Sequence, residues 1–439
     1  MTLAPGRRLV TAAAMWTGGA VLAVVWPALW GPLGGALAVL AALVAWDARI
    51  VRRAGPFTAE RVLPERAAVG RAAEVTIRVR NGGATPLVAD VVDELPRDLV
   101  AEEPRFDAVA LPGGATVVLR HAIRPVARGD RALGPVVVVV RSRLALCRRL
   151  VVVPPGPPIR VYPDATRFLR REALDLRRVL AAIGVRPARR RGDGMEFDSL
   201  REFVVGDDPR RVDWAATARR GRPITRLYRH ERRHTVMIAL DASRLMGGRV
   251  GEQTKLDHAI DSALALAHAA LVSGDRVGML VFDREVRAYL APRAHRRALG
   301  AFAEVCRTAT PRAVEADYRA LALALAMRQR QRALLVVLTD FVEADAVTLV
   351  APAVVLARRH RVLLVALRDP VFTRLDAGAT DGGPLALYRR VVLDEVLHER
   401  ESVLSRLRRA GVQTIDLVPE AITGAVLNRY LELRHGPDR

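Results

Sequence analysis

The chain is nearly devoid of lysine: Lys255 is the only one in 439 residues, so almost all of its 69 basic side chains are arginine. Aromatics are scarce as well, at 5%, and the arginines are interleaved with acids along most of the chain. A formal charge of +22 draws anionic partners in general. Sequence-specific nucleic-acid binding needs more, basic clusters with stacking aromatics or a recognisable module. No specific nucleic acid is therefore expected, and an arginine-rich nucleic-acid or lipid binder stands as an alternative reading. Cysteine is equally sparse. Cys147 and Cys306 lie far apart with no CxxC or Cys/His spacing, which excludes a zinc ribbon and a disulfide framework. The chain also lacks a GxxxxGK[ST] loop and a GxSxG elbow, so neither nucleotide hydrolysis nor serine-hydrolase chemistry is expected.

What is present begins with a long uncharged run. Leu9 to Trp46 carries no charge over 38 residues, whereas one helix crosses a bilayer core in about 20. Trp26-Pro27-Ala28-Leu29-Trp30-Gly31-Pro32 interrupts it with helix breakers and interface-seeking tryptophans. The run reads as two short helices, residues 9–26 and 33–48, joined by a tight turn. Arg7 and Arg8 precede it, and Arg49, Arg52 and Arg53 follow it. The positive-inside rule then places both ends in the cytoplasm and the protein in the inner membrane. A signal peptide would have one apolar core and a cleavage site, which the second arm argues against. A shallow re-entrant hairpin is the other reading of a short second arm.

Four segments follow from the patterning: a membrane hairpin with cytosolic flanks over 1–53, a β-rich sandwich-like domain over 58–153, a linker with a helix over 154–233, and an α/β domain over 234–435. In the second, Glu74 to Arg80 alternates polar and apolar side chains before the turn Asn81-Gly82-Gly83. In the third, Pro154-Pro155-Gly156-Pro157-Pro158 makes a stiff linker, a helix is expected from Ala165 to Ile183, and Arg186 to Arg191 forms a basic loop. In the fourth, apolar runs such as Val236 to Leu240 and Val277 to Phe282 alternate with helical periodicities. Such alternation predicts an α/β fold with a doubly wound, mostly parallel sheet.

Sheets of this kind place their sites at the carboxyl ends of the strands. Asp241 ends one strand, Ser243 follows it, Asp340 ends another, and Asp317 begins a helix between them in sequence. Carboxylates and hydroxyls converging there would make an oxygen-only site suited to Mg²⁺ or Mn²⁺. The plainer reading is that these aspartates cap helices. His230-Glu231-Arg232-Arg233-His234 matches HExxH, but its flanks are β-like. Histidines four apart on a strand are about 13 Å from each other, too far for one zinc.

The α/β half resembles the von Willebrand factor A-type fold, and its strand-end residues resemble that fold's metal-ion-dependent adhesion site. Asp241-Ala242-Ser243-Arg244-Leu245 keeps the Asp and first Ser of Asp-x-Ser-x-Ser but places Leu245 at the second serine, and Asp317 stands at the threonine position. A second resemblance rests on Gly192-Asp193-Gly194-Met195-Glu196-Phe197, Leu200-Arg201-Glu202-Phe203, Gly206-Asp207-Asp208-Pro209-Arg210 and Val212-Asp213-Trp214 through Arg219. This string resembles the bacterial family catalogued as domain of unknown function fifty-eight. The resemblance implies a membrane-anchored partner or adaptor of a MoxR-type AAA+ ATPase in chaperone-like complex assembly. It singles out Glu196, Arg201, Gly206, Asp207, Arg210, Asp213, Trp214 and Arg219 as a docking face. The same residues also read as an ion-pair lattice with Trp214 as apolar anchor. A metal-dependent hydrolase using Asp241, Asp317 and Asp340 is an alternative from another class, although no nucleophile or general base accompanies them, and the chain is not expected to be an enzyme.

Overall fold

The computed structural model describes residues 2–53, 56–164, 195–204, 207–209, 212–230, 234–342, 346–372 and 384–435. The helix expected over 165–183, the basic loop at 186–191, and Gly192–Gly194, Gly206 and Arg210 of the signature lie outside them. The chain divides into two compact units, one of residues 1–164 with 306–309 and one of 165–305 with 310–439.

The first unit starts with two apolar helices, Arg7–Val25 and Trp30–Arg53, joined by a 3₁₀ turn at Pro27–Leu29. Pro27 opens that turn, where its missing N–H leaves nothing unpaired. By length and composition both helices are able to cross a membrane, and Val21, Val24, Val25, Trp26 and Trp30 are exposed. The second helix is not the short arm expected at 33–48. It runs past the first charge, Asp47, because that carboxylate is held by the β-sheet beside it. Asp47 is buried. It accepts hydrogen bonds from Ser142 Oγ and from the amides of Leu144, Leu146 and Cys147 at 3.1, 3.1 and 3.2 Å.

The start of the first helix is fixed to the same edge. Thr2–Pro5 pairs antiparallel with Cys147 to Leu150, and Gly6 donates its N–H to Leu146 O at 2.7 Å. A Cβ on Gly6 would stand 2.0 Å from Ala145 O, so only glycine permits this approach. Both ends of the hairpin are therefore rooted in one strand edge, on one side of it.

Two antiparallel sheets form its core, beside a small three-stranded sheet of Ala67–Ala68, Ile159–Tyr162 and Gly129–Arg131. Phe57–Val62, Ala73–Asn81, Thr116–Pro125 and Leu99–Ala101 form one, in that order. Thr2–Pro5, Cys147–Val153, Val136–Arg141, Leu87–Asp93 and Arg105–Leu111 form the other. Strand alternation puts Val75, Ile77 and Val79 of the first against Ala89, Val91, Val136 and Val138 of the second in one core. Asp93, buried in that core, pairs with Arg61 and lies 2.8 Å from His121 Nε2.

The second unit carries a six-stranded sheet: β1 (Thr235–Asp241), β2 (Arg276–Phe282), β3 (Val286–Arg293), β4 (Leu334–Thr339), β5 (Arg361–Leu367) and β6 (Gln413–Leu417). Their order is β3-β2-β1-β4-β5-β6, parallel throughout except for β3. Its helices are α1 (Lys255–Val272), α2 (Ala298–Thr308), α3 (Tyr318–Arg328), α4 (Ala346–Ala357), α5 (Pro384–Arg409) and α6 (Ile422–His435). Met237, Ala239, Leu335, Val337 and Leu364 share one core with Tyr318, Leu321, Leu349 and Leu404, from α3, α4 and α5. Alternation sends Val236, Ile238 and Leu240, all buried, to the opposite face. There α1 and α6 pack on each other, and α1 on β1. Helices thus cover both faces, as the apolar strands required.

Preceding β1, Met195–Glu202 and Ile224–His230 pair as an antiparallel ribbon, with a short helix, Trp214–Arg220, between them in sequence. His230 thus ends a strand and not a helix, contrary to what zincin chemistry requires, and 231–233 lie outside the described residues.

Candidate functional site

In this strand order the connections reverse direction between β1 and β4. The crevice at their carboxyl ends is where such sheets place ligands. Asp241 ends β1 and Thr339-Asp340 follows at the end of β4. Asp241 is fully buried. Its Oδ1 accepts the Ser243 amide at 2.7 Å, and its Oδ2 accepts the Thr339 hydroxyl at 2.5 Å. Tyr318 OH lies 2.8 Å from that same hydroxyl. Burial pushes the Asp241 carboxyl up to about 6, opposed by the hydrogen bonds from Thr339 and Ser243 and reinforced by the nearby charge of Asp340.

Asp340 has other partners. Lys255, the sole lysine, begins α1 and places Nζ 2.7 Å from Asp340 Oδ2 and 3.2 Å from Asp369 Oδ2. Arg400, from α5, donates to Asp340 Oδ1 at 2.9 Å and to Phe341 O at 2.8 Å. Its guanidinium also pairs with Asp416 at 3.0 Å and lies 4.5 Å from the centre of the Phe341 ring. The neighbouring carboxylates hold the Arg400 charge in place although burial opposes it. Lysine suits the Asp340–Asp369 position because a compact ammonium fits where a planar guanidinium would not.

The expected ligand set is thus only partly assembled. Asp241, Ser243 and Thr339 meet at the switch point with Asp340 beside them. Asp317 instead caps α3, its Oδ1 accepting the amides of Arg319 and Ala320 at 2.8 and 3.0 Å, which is the helix-cap reading realised at one of the three aspartates. Both oxygens of Asp340 are engaged by buried cations, and both of Asp241 by donors. Leu245 offers no oxygen. Among the described residues no group of three or more acidic, histidine or cysteine side chains is arranged to hold a metal ion. In this structure the positive charge beside Asp340 comes from two side-chain cations, Lys255 and Arg400.

The raised Asp241 carboxyl gives a pH signature. Its folded value lies above the ordinary 3.8, so the folded state is penalised as pH rises from about 4 through 6 and bears the full penalty above 6. Asp241→Asn removes the charge while an amide oxygen still accepts from Ser243. The variant is expected to be more stable than wild type by about 3 kcal/mol at pH 7.5, the advantage vanishing near pH 4. Paired urea titrations across that range measure it, and a constant difference would contradict the assignment.

The signature segment offers a different surface. Asp213 caps the Trp214–Arg220 helix through the amides of Ala215 and Ala216, and Arg201 pairs with Asp207 at 2.6 Å. Arg219 turns back to Ala215 O in its own helix at 3.3 Å. Glu196 lies on the ribbon's first strand. Trp214 is 73% exposed, so it is no buried anchor; it begins its helix and stands in solvent. Val204 is also exposed, and so are Arg219, Arg220 and Arg222.

Sequence reasoning missed Lys255 and Arg400. The isolation of one lysine among arginines was a signal in composition, but Arg400 had none, being one arginine among many on a helix.

Comparison with known proteins finds partial likenesses. Uncharacterised proteins of Mycobacterium bovis and Mycobacterium tuberculosis are 28% identical to the chain over 181 residues, 41% of this chain. The match spans 56% of those relatives' length, just over half. Among solved structures, the conserved hypothetical protein BatB from Bacteroides thetaiotaomicron aligns with a TM-score of 0.31 at 16% identity, over 45% of this chain and 99% of that one. A fragment of Escherichia coli alpha-2-macroglobulin aligns at 0.20 and 20% identity, over 25% and 17%. Residues 199–381, which include Trp214, Asp241, Lys255 and Asp340, match the family model described as Protein of unknown function DUF58.

Proposed function

We propose that the chain is a membrane-anchored binding protein, an adaptor whose second unit engages a partner and performs no chemistry on it. The observation that supports this most is the switch-point cluster, in which Asp241, Asp340, Lys255 and Arg400 are buried and each is partnered by another protein group. A hydrolytic site needs an activated nucleophile or a general base facing solvent. Here Asp241 is sealed beneath Thr339 and Ser243, and Asp340 is held by Lys255 and Arg400. Such a cluster fixes the loops at the crevice in one shape, which is what a recognition surface needs.

The apolar hairpin supplies the anchor, in the cytoplasmic membrane with both units in the cytosol. The arginines flanking it favour that orientation, and its two roots on one strand edge agree with a hairpin that returns to the side it left. The partner in this reading is a MoxR-type AAA+ ATPase, as the signature resemblance implies, docked on the exposed Trp214 and its neighbouring arginines. An exposed tryptophan flanked by arginine is the composition of an interface hot spot. The experiment is capture from native membranes with the full chain. An AAA+ ATPase is expected in the captured fraction with and without a chelator, at least tenfold less of it with Trp214→Ala. Capture that never contains the ATPase would refute the partner, and equal recovery by the variant would refute the docking face.

A further inference from the structure

The amino edge of the same sheet holds a cavity of about 390 Å³, within the ordinary range for small-molecule sites, roughly 300–1,000 Å³. Arg332, Arg361 and Arg434 are among the residues that line it, and among the described residues no acidic one does. Arg361 donates to Leu433 O at 3.2 Å, and Arg434 to Ser273 O at 2.8 Å. These carbonyls close the ends of α6 and α1, so they orient the guanidiniums without cancelling their charge. Arg332 has no partner among the described residues. Asp275 pairs with Arg434. It is buried and already taken by Tyr430 OH at 2.6 Å and the His234 amide at 3.1 Å, with Arg434 at 3.5 Å.

Arg332 and Arg361 have no acidic partner among the described residues, and like charges around one space repel unless something answers them. Guanidinium forks match the tetrahedral oxygens of phosphate, and the remaining wall at Val236, Leu334 and Leu433 is apolar. The space is larger than a bare phosphate fills. We propose that this cavity binds a phosphate-bearing small anion, its phosphate held by Arg332, Arg361 and Arg434 and its organic portion laid against the apolar wall. The site is separate from the carboxyl-edge cluster and owes nothing to the adaptor reading.

The test uses the full chain in phosphatidylcholine nanodiscs, titrated with adenosine monophosphate and with inorganic pyrophosphate at fixed salt. Saturable binding is expected, weakened at least tenfold by Arg332→Gln and further by Arg332→Gln with Arg361→Gln. Arg105→Gln, a surface change in the other unit, leaves it unaltered. Arg332 is exposed and has no partner among the described residues, so its variant keeps the fold. Repeating the titration in phosphatidylglycerol nanodiscs distinguishes the sources: competition by the lipid identifies a headgroup as occupant, and unchanged affinity identifies a soluble phosphate. Equal weakening by Arg332→Gln and Arg105→Gln would reduce the effect to net charge and overturn the proposal, as would the absence of saturable binding.

Discussion

Lys255→Met is expected to destabilise the α/β unit by about 3–5 kcal/mol, the cost of removing one partner from a buried ion pair. The methionine keeps the apolar stem but deletes the ammonium. Asp340 then keeps Arg400 and the Phe341 amide but loses the ammonium it shares with Asp369, in a crevice where Lys255 and Asp340 are 6% and 8% exposed at their side chains. Lys255→Arg is expected to rescue only part of the loss, because a guanidinium is too broad for the gap between the two carboxylates. Urea unfolding of the full chain, followed by circular dichroism, measures both. A loss below 1 kcal/mol for the methionine variant would mean that Asp340 is satisfied without an ammonium.

Asp47→Ala carries the second large effect. The carboxylate is the acceptor for three backbone amides and for the Ser142 hydroxyl, and of these the Cys147 amide also reaches Ser142 Oγ at 3.1 Å. Leaving several buried donors unpaired costs about 3 kcal/mol, at roughly 1 kcal/mol or more each. The effect is local, so the sharpest readout is amide exchange at Leu144, Leu146 and Cys147, expected to quicken by more than tenfold. Asp47→Asn retains one acceptor oxygen and is expected to fall between. Unchanged exchange would show that the hairpin is not clamped to the strand edge by this residue.

The two residues also mark where reading the sequence stops. Asp47 is visible as the first charge after the apolar run, and hydropathy therefore ends the second helix near it. The helix continues to Arg53 because the acceptors' partners, almost a hundred residues on, stabilise the charge at that point. Lys255 is conspicuous in composition, yet its partner Asp340 lies 85 residues away. No local pattern links a residue at a helix start to a carboxylate at a distant strand end. The strands themselves were legible, since a sheet covered on both faces demands apolar runs such as Val236–Leu240. Their parallel order was legible too, from the helices between them. Strand-end placement of Asp241 and Asp340 followed from the same runs, whereas the role of Asp317 depended on backbone amides that only the folded helix aligns. Trp214 shows the opposite error. Its size suggests an anchor, but a seven-residue helix on a two-stranded ribbon has no core to receive it.

In the proposed reading the crevice between β1 and β4 is held rigid by the ion pairs that Lys255 and Arg400 make with Asp340. Calorimetry of Mg²⁺ and Mn²⁺ with the full chain in detergent, beside Asp241→Ala, tests it most directly. No saturable heat that distinguishes wild type from the variant is the predicted result. Stoichiometric binding that Asp241→Ala abolishes would contradict it, and would mean that the ammonium yields its place to a metal ion.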